Sequence, residues 1–356
     1  MQLQRIGLAT LLTLLATATP WQFRAEAKVL ESGEGTSIES LFSNSDRTAA
    51  TSQDEAKQLL RQGLEQFKAN KIEAAIQTWQ KTLTLYREVG DGKGEGITLG
   101  FLGMAYESLE EYTKAIAYFQ QSLANPKELD NRGAEAMFLE GLGDAYLMSG
   151  KYADAIKPYQ QSLAIAKELG ERKDEVQVLL RISAAYQNLN EYTKVVEYSQ
   201  QSLALARELG ERKKEAYALE LLGDAYYELK EYAKVMEYNQ QRLPIVRELR
   251  DRQGEVDALR SIGAASLKLD DYSRAMEYLQ PALVIARELS DRESEGAILA
   301  GLTVASYGLG DYAKVVEYAQ LCLPIVRELE KPQLEESILA LMKEAEQALE
   351  SARKPS

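Results

Sequence analysis

A tyrosine recurs every 40 residues along most of this chain, at Tyr112, Tyr152, Tyr192, Tyr232, Tyr272 and Tyr312, and the spacing never slips. A longer phrase recurs around it. Leu102-Gly103-Met104-Ala105-Tyr106 precedes the tyrosine, Lys114-Ala115-Ile116 follows it, and Gln120-Gln121-Ser122-Leu123 and Lys127-Glu128-Leu129 close the unit. A fixed period of this size means one supersecondary unit copied in series, which constrains the fold more tightly than composition can. Each copy rests on its neighbours, so the 356 residues need not divide into ordinary globular domains.

Within a copy, helical spacing appears twice. Leu99, Leu102, Tyr106 and Leu109 form one apolar stripe; Tyr112, Ala115, Ile116, Phe119 and Leu123 form the other. Turn residues Gly150, Asn190 and Gly310 separate the stripes, while Gly170, Gly210 and Asp130-Asn131 separate the copies. Ser290 and Glu293 have capping-box spacing at one junction. The unit is therefore a helix pair. Seven pairs are expected over 53–330, the first from about Asp54 to Val89 with Ile72 and Gln66 in place of its two tyrosines. A last amphipathic segment, Gln333 to Ser351 within 331–356, reads as a helix capping the seventh pair.

The N-terminus has a different character. A basic start at Arg5, the apolar run Ile6 to Ala18 and the small-residue site Ala25-Glu26-Ala27 predict a secretory signal peptide over 1–27, with Ala16-Thr17-Ala18 as a second cleavage site. The apolar run falls short of the ~20 residues a spanning helix needs, so no membrane insertion is expected after cleavage; an uncleaved anchor is the alternative. Residues 28–52 are polar and predict a disordered linker. The expected location is exported, periplasmic or extracellular.

Net charge is −13. That argues against a nucleic-acid or anionic-membrane partner, both of which call for a basic face. The chain has no histidine, which removes imidazole as base or ligand. Its single cysteine, Cys322, falls in the column of Ser122, Ser162 and Ser202 and predicts a buried, inert thiol. Glu140 with Asp144 and Glu220 with Asp224 stand one helical turn apart, a spacing open to acid–base work or a divalent cation. They recur at an 80-residue interval, as repeat decoration does. No catalytic residue, metal or cofactor is expected.

The phrase Leu102/Gly103/Tyr106 with Ala115, Phe119 and Ser122, and its copy Leu142/Gly143/Tyr146 with Ala155, Tyr159 and Ser162, resembles the tetratricopeptide repeat. The 40-residue unit is similar to the extended kind in kinesin light chains, G-protein-signalling modulators and cyanobacterial arrays. The resemblance implies an all-α fold: a right-handed α-solenoid of about seven helix pairs plus a C-terminal capping helix. Departures are Ser183 and Thr303 for the glycine, Ser266 and Ser306 for the tyrosine, and Val195, Val235 and Val315 for the alanine; they predict looser packing in later repeats. Pro158, Pro244 and Pro324 predict bends in second helices.

The resemblance also implies a non-catalytic scaffold whose first helices line a concave groove. Helical geometry then aims Phe101, Met104, Glu107, Met137, Glu140, Asp144, Arg181, Tyr217, Glu220, Asp224, Tyr227, Arg260, Lys268 and Tyr307 into it. Acidic repeats alternating with basic ones suit a monomer that binds a protein or peptide carrying basic and apolar anchors. Two alternatives stand beside this: a recognition subunit for a separate caspase-like CHAT protease, and a self-associating envelope assembly factor. A glutamate column (Glu95 to Glu335) and a glutamine column (Gln80 to Gln320) read more readily as inter-helix bonds and ion pairs than as a ligand ladder.

Overall fold

The computed structural model describes residues 52–124 and 131–353. The expected signal peptide, the linker up to residue 51 and the stretch 125–130 lie outside the described residues. All described elements are α-helices. The helices up to Leu209 form one compact unit and those from Gly210 a second.

The first unit holds α1 (Ser52–Lys68), α2 (Ile72–Val89), α3 (Gly92–Ser108), α4 (Tyr112–Leu123), α5 (Arg132–Met148), α6 (Tyr152–Leu169), α7 (Arg172–Asn188) and α8 (Tyr192–Leu209). The second holds α9 (Arg212–Glu228), α10 (Tyr232–Glu248), α11 (Arg252–Lys268), α12 (Tyr272–Glu288), α13 (Arg292–Gly308), α14 (Tyr312–Glu328) and α15 (Pro332–Arg353). Inside each unit a helix packs on the one before and the one after, and first helices of adjacent pairs also touch. This is the expected all-α solenoid of seven helix pairs and a final helix.

The helices end where the chain enters the left-handed region. Among the described residues one such residue recurs at 20-residue spacing, and most are not glycine: Glu110, Asn190, Lys230, Arg250, Asp270, Ser290 and Glu330 all have φ between 53° and 61°. The backbone closes the same way at each, as where Glu111 N donates to Tyr106 O at 2.9 Å. Ser290 is therefore the turn residue and not the helix cap. Asp291 caps α13, its side chain accepting from Ser294 N at 3.0 Å.

Packing between paired helices depends on one small and one large column. A Cβ on Gly103 would lie 2.7 Å from the Phe119 ring, and one on Gly143 2.4 Å from Tyr159. Glycine lets the aromatic of the second helix lie flat on the backbone of the first. Where the glycine is lost, the facing residue has shrunk: Ser183 goes with Ser199 and Thr303 with Ala319. The serines that replace tyrosine are likewise compensated, Ser266 and Ser306 donating to the sulfurs of Met236 and Met276 at 3.8 and 3.9 Å. The expected loosening of later repeats is thus offset by matched volume changes. Helices α6, α10 and α14 run unbroken through Pro158, Pro244 and Pro324, and α12 through Pro281.

The two polar columns are spent on joining repeats. Arg247 and Arg252 both pair with Glu255 at 2.8 Å, and Arg287 and Arg292 pair with Glu295 at 2.8 and 2.7 Å. Gln120 Nε2 donates to Tyr146 OH at 2.8 Å, and Gln160, Gln240 and Gln280 reach Tyr198, Tyr278 and Tyr318 likewise. On the second-helix side, Tyr106–Tyr118, Tyr186–Tyr198 and Tyr226–Tyr238 stack with centroids 5.2–5.5 Å apart.

Candidate functional site

The candidate site is the wall of first helices, taken in each unit by itself. In the first unit α3, α5 and α7 carry it. Met104, Met137 and Met148 are half-buried there, Met104 and Met137 resting on the core with part of each thioether side chain still open. Glu107 is half-exposed beside them.

Phe101 does not join them. It is 1% exposed, stacked on Trp79 at 5.3 Å and set edge-on to Phe138 at 6.1 Å. Gly100 has no side chain to hold Phe138 off, since a Cβ there would lie 2.2 Å from that ring. Helices α3 and α5 therefore close over Phe101 and make it core.

Arg181 is also buried, at 8% exposure. Its Nη1 donates to Glu140 Oε2 at 2.9 Å and to Asp144 Oδ2 at 2.8 Å. Tyr159 OH donates to Asp144 Oδ1 at 2.6 Å and Ser162 Oγ to Glu140 Oε1 at 3.1 Å. Repeats three and four are thus not an acidic block beside a basic one; their charges face each other. Burial, offset in part by Arg181, pushes the Glu140 carboxyl up to about 7 and also raises Asp144.

The second unit repeats the carboxylate pair with different neighbours. Glu220 takes a 2.5 Å hydrogen bond from Arg242 Nη2, and burial pushes its carboxyl up to about 7 as well. Arg242 is 5% exposed on α10, in the column that holds Ser162 in the first unit. Ser261 stands where Arg181 stands. Asp224 contributes to the same electrostatic cluster, as does Asp257 on α11. Arg260 reaches Asp257 at 3.4 Å.

The other predicted residues of this unit are placed less openly than expected. Tyr217 is 8% exposed. Tyr227 lies edge-on to Tyr232 at 5.5 Å, its hydroxyl buried. Burial and the nearby Lys230 lower the pKa of Lys268. Tyr307 OH donates to Glu344 Oε2 at 2.6 Å, so the final helix holds it.

Tyr159, Ser162 and Arg242 belong to these clusters and were not among the expected site residues. The signal for Arg242 was present, a large cation in a column of small residues. Cys322 is buried and donates to Gly296 O at 3.4 Å; burial pushes its thiol up to about 12, far from a reactive thiolate. Among the described residues no helix is long and apolar enough to cross a membrane.

Two tetratricopeptide-repeat family profiles match the sequence, over residues 66–128 and 102–168. No curated protein sequence matches it. Among solved structures, the chain is similar to a STAND-class signal-transduction ATPase with a tetratricopeptide-repeat sensor from Pyrococcus horikoshii. That match has a TM-score of 0.64 at 19% identity and covers 80% of this chain and 44% of that one. The chain thus spans less than half the length of the ATPase. It is also similar to the apo form of RapI, with a TM-score of 0.54 at 18% identity, covering 72% of this chain and 99% of that one. BtubC from P. vanneervenii matches with a TM-score of 0.51 at 16% identity, covering 62% and 92%. At these identities the likeness is one of fold.

Proposed function

We propose that this chain, which is a tetratricopeptide-repeat protein, is a non-catalytic scaffold that holds a partner protein or peptide against its first-helix wall. Repeats of this family commonly mediate protein–protein interaction. One observation carries the reading: half-buried methionines gather on one wall while the polar columns of the other wall are spent internally. Met104, Met137 and Met148 present polarizable, adaptable side chains on α3 and α5. The glutamines and tyrosines of the second helices bond to or stack on tyrosines of neighbouring first and second helices. A partner with apolar anchors and positive charge suits a wall of methionine beside Glu107, Glu140 and Asp144. The N-terminal segment 1–27 supports export, with the scaffold acting in the periplasm or outside the cell.

The test uses the full chain and an array of N-acetylated 15-residue random-sequence peptides. A subset is expected to bind, and M104S/M137S/M148S, checked for helicity by circular dichroism, is expected to lose that binding at least about ten-fold. Unchanged binding by the folded variant would move the interaction to another face.

A further inference from the structure

We propose that Glu140 and Asp144, with Gln177 beside them, form a seat for a lysine ammonium of the bound peptide. This rests on the peptide-binding reading above and names the group that the first-helix wall selects.

The case begins with a count of donors and acceptors. A carboxylate can accept about four hydrogen bonds. Glu140 receives one from Ser162 and one from Arg181; Asp144 receives one from Tyr159 and one from Arg181. Both carboxyl groups draw on the same nitrogen, Nη1, so one guanidinium serves two acids. The Glu140 and Asp144 side chains keep 17% and 22% exposure, against 10% for Arg181, so the open edge of the cluster is carboxylate.

A second observation is independent of the acids. Gln177 is 7% exposed on α7, one turn before Arg181, and its Oε1 has no donor. The repeat shows where this column faces. Asp257 occupies it 80 residues on and acts on Glu220, the counterpart of Glu140. Arg181 Nε also lacks an acceptor. An incoming carboxylate or carbonyl would add acceptors where donors are short. An ammonium brings three donors and a compact charge to acceptors on three side chains.

The second unit meets the same carboxylate pair from within. Arg242 bonds Glu220 and Arg260 reaches Asp257 beside it, and the buried side-chain atoms without partners there can all donate: Tyr227 OH, Arg242 Nε and Arg260 Nε. Among the described residues, the buried amide oxygen without a donor occurs in the first unit alone.

The test measures binding of the full chain to N-acetylated 15-residue peptides with one lysine each. Each peptide is accompanied by an Nε-acetyl-lysine twin, an arginine twin, and a twin with no lysine but a free N-terminus. Acetyl-lysine twins are expected to bind at least about ten-fold more weakly, as for loss of a charge-assisted hydrogen bond. In E140Q/D144N that difference is expected to vanish, and in E197Q/E237Q, which removes two exposed second-helix charges, to persist. If E140Q/D144N loses its helicity, Q177L takes its place: it removes the orphan acceptor without stranding a charge and is expected to shrink the lysine preference. Equal binding of acetyl-lysine twins, or a preference that survives these variants, overturns the seat while leaving the scaffold reading intact. Arginine or free-amine twins that bind as tightly overturn the assignment to lysine. If no peptide in the array binds at all, the peptide-binding reading falls and the seat falls with it.

Discussion

Glu140 with Asp144 and Glu220 with Asp224 fill the same two columns of the repeat, yet the two units neutralise them by different routes. In the first unit the guanidinium comes from α7, a first helix, and a serine on the second helix completes the contact. In the second it comes from α10, a second helix, and a serine stands at the α7-equivalent position. One arginine and one serine have exchanged columns across 80 residues. A buried carboxylate pair on a first helix therefore requires a nearby guanidinium, and the solenoid can supply it from either neighbouring helix because both come within reach of the same wall.

Removing the guanidinium is the harshest way to break this comparison. Arg242→Met is expected to destabilise the chain by about 3–5 kcal/mol, because it strands Glu220 in a buried site. Arg181→Met is expected to cost less, since Glu140 keeps Ser162 and Asp144 keeps Tyr159. Urea unfolding followed by circular dichroism ranks the two. A larger loss for Arg181→Met would mean that the hydroxyl partners contribute little.

The units differ also in how paired helices close. Trp79, Phe119 and Tyr159 face glycine in the first unit, whereas Asn239, Leu279 and Ala319 are the facing residues in the second. Gly143→Ser drives an atom into Tyr159 and is expected to cost about 1–3 kcal/mol. The double change G143S/Y159S copies the pairing of Ser183 with Ser199. A positive coupling between the two, measured as a double-mutant cycle, is the expected sign of volume matching.

A gentler probe is pH. Glu140 and Glu220 both titrate at about 7 in the folded chain, above the ordinary carboxylate value. The folded state therefore holds these protons more tightly than the unfolded state. The resulting stability is fully present below the unfolded value near 4.5 and is lost as pH rises through about 7. The glutamate-dependent part is expected to be on the order of 3 kcal/mol per residue between those limits, and E140Q/E220Q should flatten the slope of thermal midpoint against pH. A wild-type midpoint that rises from pH 5 to pH 8 would contradict the burial of these two groups.

Much of the fold was legible before any coordinates. The 40-residue period, the two apolar stripes per period and the glycines at several turns lead directly to stacked helix pairs. The volume matching was not: from the sequence Ser183 and Thr303 predict looser packing, and Ser199 and Ala319 emerge as their partners only once it is known which columns touch. The expected site was less accessible. Phe101, Arg181 and Tyr217 were assigned to an open groove from the helical wheel of a single helix, and all three are buried. A helical wheel records the direction of a side chain from its own axis. It does not record how closely the next first helix approaches.

By itself the sequence determined the repeat and its helical content, because those depend on contacts that recur at fixed separation along the chain. Only the tertiary structure decided which charges meet and which methionines stay open. Arginine and glutamate side chains are long enough to reach either of two neighbouring helices, and helices such as α3 and α5 come together at a distance set by whether a glycine or a side chain stands between them.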